Sequence, residues 1–174
     1  MKIKGIMMED FANYKKPSMF IIFPSCTFKC EKECGEHCCQ NSALAQTPNI
    51  EIDAEVIVDR YLSNPITSAI VCGGMEPFDS FSDLLNLVEI FRSHTMDDII
   101  IYSGYSKEEL ENGLFYIDGY NSNIRRSAYD YLKSFPNIIS NLDALFQINS
   151  HIMIRYLELC SLVIINMQKG YRNG

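Results

Sequence analysis

The stretch from Cys26 to Cys39 limits what this chain can fold into more than any other. Five of its seven cysteines (Cys26, Cys30, Cys34, Cys38 and Cys39) lie there, directly after the apolar run Met19-Phe20-Ile21-Ile22-Phe23. That run is bounded by Pro17 and Pro24 and reads as a strand buried on both faces. A rigid strand ending in a thiol-rich loop is a good way to hold a metal centre. Seven cysteines with two adjacent form a poor disulfide framework, so the cluster reads as metal-binding or catalytic in a reducing compartment. Soft thiolate ligands point to zinc or to iron–sulfur clusters.

Downstream, strands and helices alternate. Residues 53–63 predict a helix with Asp53 as its cap and Val56, Ile57, Tyr61 and Leu62 on its apolar face. Ala69-Ile70-Val71-Cys72 reads as a buried strand running into Gly73-Gly74. A second helix starts at Ser80 or Ser82, with Leu84, Leu85, Leu87, Val88 and Phe91 facing inward. Asp98 to Tyr102 is a third strand ending at Ser103-Gly104, and Ser106 with Glu109 forms a capping box that opens a third helix. This repetition predicts an α/β domain with a parallel sheet and a site at the strands' carboxyl ends. Residues 3–16 read as a lead-in with a short strand or loop. Beyond about residue 113 the pattern weakens, leaving a helical stretch over 129–135 and a strand at Ile138-Ile139.

Composition narrows the function. A length of 174 residues suits one domain with a sizeable core, and a formal charge of −7 argues against a protein that grips nucleic acid. No apolar run approaches the ~20 residues needed to span a membrane. The N-terminus has no long apolar segment with a small-residue cleavage site, so a cytoplasmic protein without a signal peptide is expected. Cys72 and Cys160 read as small buried hydrophobes.

Three motifs in this order resemble the radical S-adenosylmethionine superfamily, and within it the activating proteins of anaerobic ribonucleoside-triphosphate reductase. Cys26 and Cys30 fit the first spacing of the superfamily's three-cysteine loop. Cys34 falls one residue late for the third, whereas Cys39-Gln40-Asn41 is similar to the ending of the loop in activating enzymes. Gly73-Gly74-Met75-Glu76-Pro77 looks like the Gly-Gly-Glu-Pro signature with one residue added, and Ser103-Gly104-Tyr105 resembles the activases' Thr-Gly-Tyr strand end. The resemblance covers roughly residues 17–112. It implies a partial, TIM-like barrel of βα units with the site on the strands' C-terminal rim. It also implies a [4Fe-4S] cluster on Cys26, Cys30 and Cys39, with Cys34 as the alternative third ligand. S-adenosylmethionine would meet Asn41, Gly73, Gly74, Met75, Glu76, Pro77, Ser103 and Tyr105. The expected activity is reductive cleavage of S-adenosylmethionine to a 5′-deoxyadenosyl radical that installs a glycyl radical on the reductase large subunit. The electron would come from a donor such as flavodoxin or ferredoxin.

Other readings stand beside this one. The crowded thiols and His37 also suit a structural zinc site. Glu76 also reads as a solvated carboxylate at a helix start, Tyr105 as surface packing, and Cys34 and Cys38 as bystanders. Residues 1–140 form the expected cluster domain, and residues 141–174 an atypical tail lacking the family's Gly-Arg-Phe and Leu-Gly-Val strands. Codons for Asn141 to Gln147 can be chosen so that the neighbouring frame reads Lys-Phe-Gly-Arg-Phe-Ile-Pro, which makes a frameshifted tail one hypothesis. A divergent helix is the other, and the source gene decides: if no single-base change restores the family ending, the frameshift fails. A radical enzyme with another substrate and a non-catalytic metal-binding remnant are the functional alternatives.

Overall fold

The apolar runs become the centre of a five-stranded sheet. A computed structural model describes residues 1–35, 39, 41–117 and 119–142. The elements in chain order are β1 (Lys2–Ile3), β2 (Gly5–Asp10), β3 (Ser18–Ile22), α1 (Lys29–Cys34), α2 (Ser42–Ala45), β4 (Ile50–Glu51), α3 (Ala54–Leu62), β5 (Ala69–Gly73), α4 (Phe81–His94), β6 (Asp98–Tyr102), α5 (Lys107–Glu111), α6 (Ser122–Ser134) and β7 (Ile138–Asn141). A single 3-10 turn, Pro77–Ser80, joins β5 to α4.

The sheet order is β2-β3-β5-β6-β7, and β1 pairs separately with β4. From β3 to β7 every pairing is parallel, and each strand lies beside the next without reversal. Every residue of β3 and β5 is buried, which is why those sequences are nearly unbroken apolar runs. Ile22 lies opposite Gly73, and Cys72 opposite Ile101, so β3, β5 and β6 end on one rim.

The lead-in, expected as a short strand or loop, contains a six-residue strand, β2, which runs antiparallel to β3 at the edge of an otherwise parallel sheet. Its exposure does not alternate, and its register shifts between Met7 and Asp10, so it left no period-two signal. The α3 helix forms as expected, but Ala54, Ile57, Val58 and Tyr61 are its buried face, while Val56 and Leu62 are exposed. Asp53 occupies the N-cap position without a capping side-chain bond. At α5 the expected capping box is present: Glu109 N donates to Ser106 Oγ at 3.2 Å, and Ser106 N to Glu109 Oε2 at 2.8 Å.

Under the rim, Phe78 meets Phe115 and Tyr129 edge-on, with ring centroids 5.4 and 5.8 Å away. Phe78 and Phe115 are fully buried, each worth about 1.5–3 kcal/mol of apolar burial. Arg92 ties the far end together. Its guanidinium donates to the carbonyls of Thr95, Asp97, Pro136 and Asn137, bracing the segments that lead into β6 and β7. β7 ends at Asn141, one residue past the boundary expected after 140. Cys160 and the rest of the tail from residue 143 lie outside the described residues, as do His37 and Cys38. Among the described residues no helix is long and apolar enough to cross a membrane.

Candidate metal centre

The cysteine loop is tied down before its first thiol. Phe23 N donates to Gly73 O at 2.9 Å, extending the β3–β5 pairing by one residue. Glu76 N donates to Ser25 O at 3.0 Å, and the hydroxyls of Ser25 and Ser80 lie 3.1 Å apart. Thr27 N donates to Asp79 Oδ2 at 2.5 Å. The chain then turns sharply at Phe28, whose φ of 52° is left-handed and whose N–H points at Cys26 Sγ, 3.2 Å away. This turn starts α1, which carries Cys30 and ends at Gly35. Lys29 anchors the helix from outside: its ammonium lies 2.6 Å from Glu109 Oε2, 3.4 Å from Glu33 Oε1 and 5.4 Å from the Tyr105 ring centroid. Cys39 is returned to α1 by its N–H, which donates to Glu31 Oε1 at 3.2 Å.

These ties bring Cys26, Cys30 and Cys39 to one concavity. Asn41 lines it on the loop side, Gly74, Met75 and Glu76 from the turn after β5, and Tyr102, Ser103 and Gly104 from the end of β6. Of the residues expected to meet a cosubstrate, Gly73, Pro77 and Tyr105 do not line it. Gly73 is close-packed instead: a Cβ there would sit 3.2 Å from Phe20 and 3.3 Å from Tyr102. Pro77 opens the buried 3-10 turn. Tyr105 is buried rather than at the surface, and its hydroxyl donates to Asp79 Oδ1 at 2.7 Å. Cys34 closes α1, and its side chain lies outside the described residues.

Gly74 has φ 81°, and a Cβ there would meet Ile22 Cγ2 at 2.6 Å, so both conformation and space require glycine. Glu76 is the hub of the rim and is not a solvated carboxylate. It is 6% exposed. Its Oε1 accepts from Phe78 N at 3.1 Å and Ser103 Oγ at 2.9 Å, and its Oε2 from Gly104 N at 2.8 Å. Burial pushes its carboxyl up to about 8, against the pull of these three donors.

The thiols are also out of the ordinary. Burial pushes Cys26 up to about 12, with the charges of Asp79 and Glu76 adding to it. Cys30 is raised by burial first and by Cys39 next. Metal coordination reverses this, because a coordinated thiol is deprotonated. The donor set fits a cluster-sized group. Three soft thiols surround the concavity, and among the described residues no fourth thiol or imidazole lines it. Asn41 Oδ1 is buried without a partner and is available to a donor on a ligand.

Sequence reasoning missed Asp79, Tyr102 and Gly104. Gly104 stands inside a motif that was read and Tyr102 directly before it, but Asp79 carries no local signal, since its partners are Thr27 and Tyr105, 52 and 26 residues away.

Residues 18–127 match the family model described as 4Fe-4S single cluster domain. Neither the curated proteins nor the solved structures gave a match.

Proposed function

The chain belongs to the 4Fe-4S single cluster domain family, and from that premise we propose that it is a radical S-adenosylmethionine protein that activates anaerobic ribonucleoside-triphosphate reductase. The observation that carries this reading is the meeting of Cys26, Cys30 and Cys39 with the ends of β5 and β6 around one concavity. A cluster with three protein thiolates has one iron left for a small ligand. Such a cluster, held by these thiolates, would pass one electron from an external donor to S-adenosylmethionine, for its reductive cleavage to methionine and a 5′-deoxyadenosyl radical.

The chain's own residues bind and orient. Cys26, Cys30 and Cys39 hold the cluster, with Cys34 as the alternative to Cys39. The left-handed turn at Gly74 brings backbone close to the concavity, and Asn41 offers an unpaired acceptor. Met75 contributes a nearly buried apolar wall. Glu76 spends its carboxylate on protein donors, so its work is to lock the turn after β5 to the end of β6. The unreversed strand order supports a partial barrel, because right-handed crossovers stepping one way place their helices on one face. Residues 1–140 form the cluster domain in this reading, in a cytoplasmic protein served by a donor such as flavodoxin or ferredoxin.

The test uses the anaerobically reconstituted protein with reductant and S-adenosylmethionine. 5′-Deoxyadenosine should accumulate, and adding the reductase from the same source should give a glycine-centred doublet in the electron paramagnetic resonance spectrum. Both should vanish in Cys26→Ala. Deoxyadenosine without a glycyl radical would favour a different substrate, and neither product would leave a non-catalytic cluster protein.

A further inference from the structure

We propose that Asp79 is a positioning residue of the cysteine loop: it fixes the backbone between Cys26 and Cys30 and sets a negative charge beside Cys26 that holds the cluster's reduction potential down. This inference rests on the cluster reading above.

Both Asp79 oxygens are committed. Oδ2 accepts from Thr27 N at 2.5 Å, and Oδ1 from the Tyr105 hydroxyl at 2.7 Å. Asp79 therefore bridges Thr27 and Tyr105. Tyr105 is itself held. Its oxygen accepts from Tyr116 N at 3.2 Å, its ring centroid lies 6.3 Å from that of Phe115, and the Lys29 ammonium lies 5.4 Å from its ring centroid. Asp79 is therefore a fixed carboxylate on a rigid turn, gripping the loop one residue after Cys26. Both hydrogen-bond partners are neutral donors, so neither cancels its charge. The bond to Thr27 N sets that charge against the backbone one residue from Cys26. Adding an electron to a cluster is disfavoured by nearby negative charge, and net charge and hydrogen bonding are among the factors that set cluster potentials.

The test compares wild type, Asp79→Asn, Asp79→Glu and Tyr105→Phe after anaerobic reconstitution. Iron per chain is measured first, then the cluster's potential by a redox titration followed by electron paramagnetic resonance. Asp79→Asn should load iron like wild type and favour the reduced cluster about tenfold more, ~59 mV for a one-electron couple. Asp79→Glu and Tyr105→Phe keep the charge and should stay within about threefold of wild type. A wild-type potential in Asp79→Asn, or an equal shift in Asp79→Glu, overturns the proposal. Should Asp79→Asn load no iron, Asp79→Glu carries the test: it must load at near-wild-type potential, and its failure also overturns the proposal. A wild-type protein that binds no cluster sinks the reading on which the proposal rests.

Discussion

At position 76 a carboxylate is shut away from water while three donors from two strand ends converge on it. Its ordinary value of 4.5 rises to about 8 on folding. Between these values the folded protein binds more protons than the unfolded chain, so stability falls as pH rises. The contribution is fully present below about 4.5 and is lost as pH passes through about 8. Glu76→Gln removes this titration and turns an amide N–H toward Gly104 N, leaving two donors facing each other. It should destabilise the metal-free protein by about 1–3 kcal/mol at low pH, with a deficit that shrinks as pH rises. Urea denaturation at about pH 5, 7 and 9 measures this. A deficit that stays constant across the series would contradict it. The sequence showed Glu76 within a glycine turn, but not that Ser103 and Gly104, 27 and 28 residues on, would take up its oxygens.

The elements differ in how openly the sequence announces them. β3, β5 and β6 were legible because central parallel strands are apolar throughout, and α5 because its capping box is a local signal. β2 was legible only as a short strand or loop, because it is an edge strand with an irregular register. The face of α3 was misread because Val56 and Leu62 are exposed while Ala54, small and uninformative in sequence, is buried. Arg92, reaching from α4, satisfies the carbonyls of Pro136 and Asn137 just before β7. Burial lowers the Arg92 pKa, which fits a cation justified by four carbonyls rather than by solvent. Arg92→Leu should therefore cost about 2–4 kcal/mol, because those acceptors lose their donors together. The urea midpoint reads it, and a change below about 0.5 kcal/mol would show that the β6 and β7 ends do not depend on this residue.

Across the whole molecule, one topological fact places the site. With β3, β5 and β6 parallel and adjacent, their carboxyl ends share a rim, and motifs some 50 and 80 residues apart in the chain become neighbours. That much followed from the alternation of strands and helices. The third thiol was read as Cys39 from the Cys39-Gln40-Asn41 ending, with Cys34 as the alternative. Cys39 lines the concavity and its N–H donates to Glu31, while the Cys34 side chain lies outside the described residues. The central claim is a four-iron cluster on Cys26, Cys30 and Cys39, and the most direct measurement is the iron and sulfide content of anaerobically reconstituted wild type and single cysteine-to-alanine variants. Wild type and Cys34→Ala should each hold about four irons and four sulfides per chain, while Cys26→Ala, Cys30→Ala and Cys39→Ala should each lose the intact cluster. Full iron and sulfide in Cys39→Ala with loss in Cys34→Ala would move the third ligand, and stoichiometric zinc with no iron in wild type would contradict the claim outright.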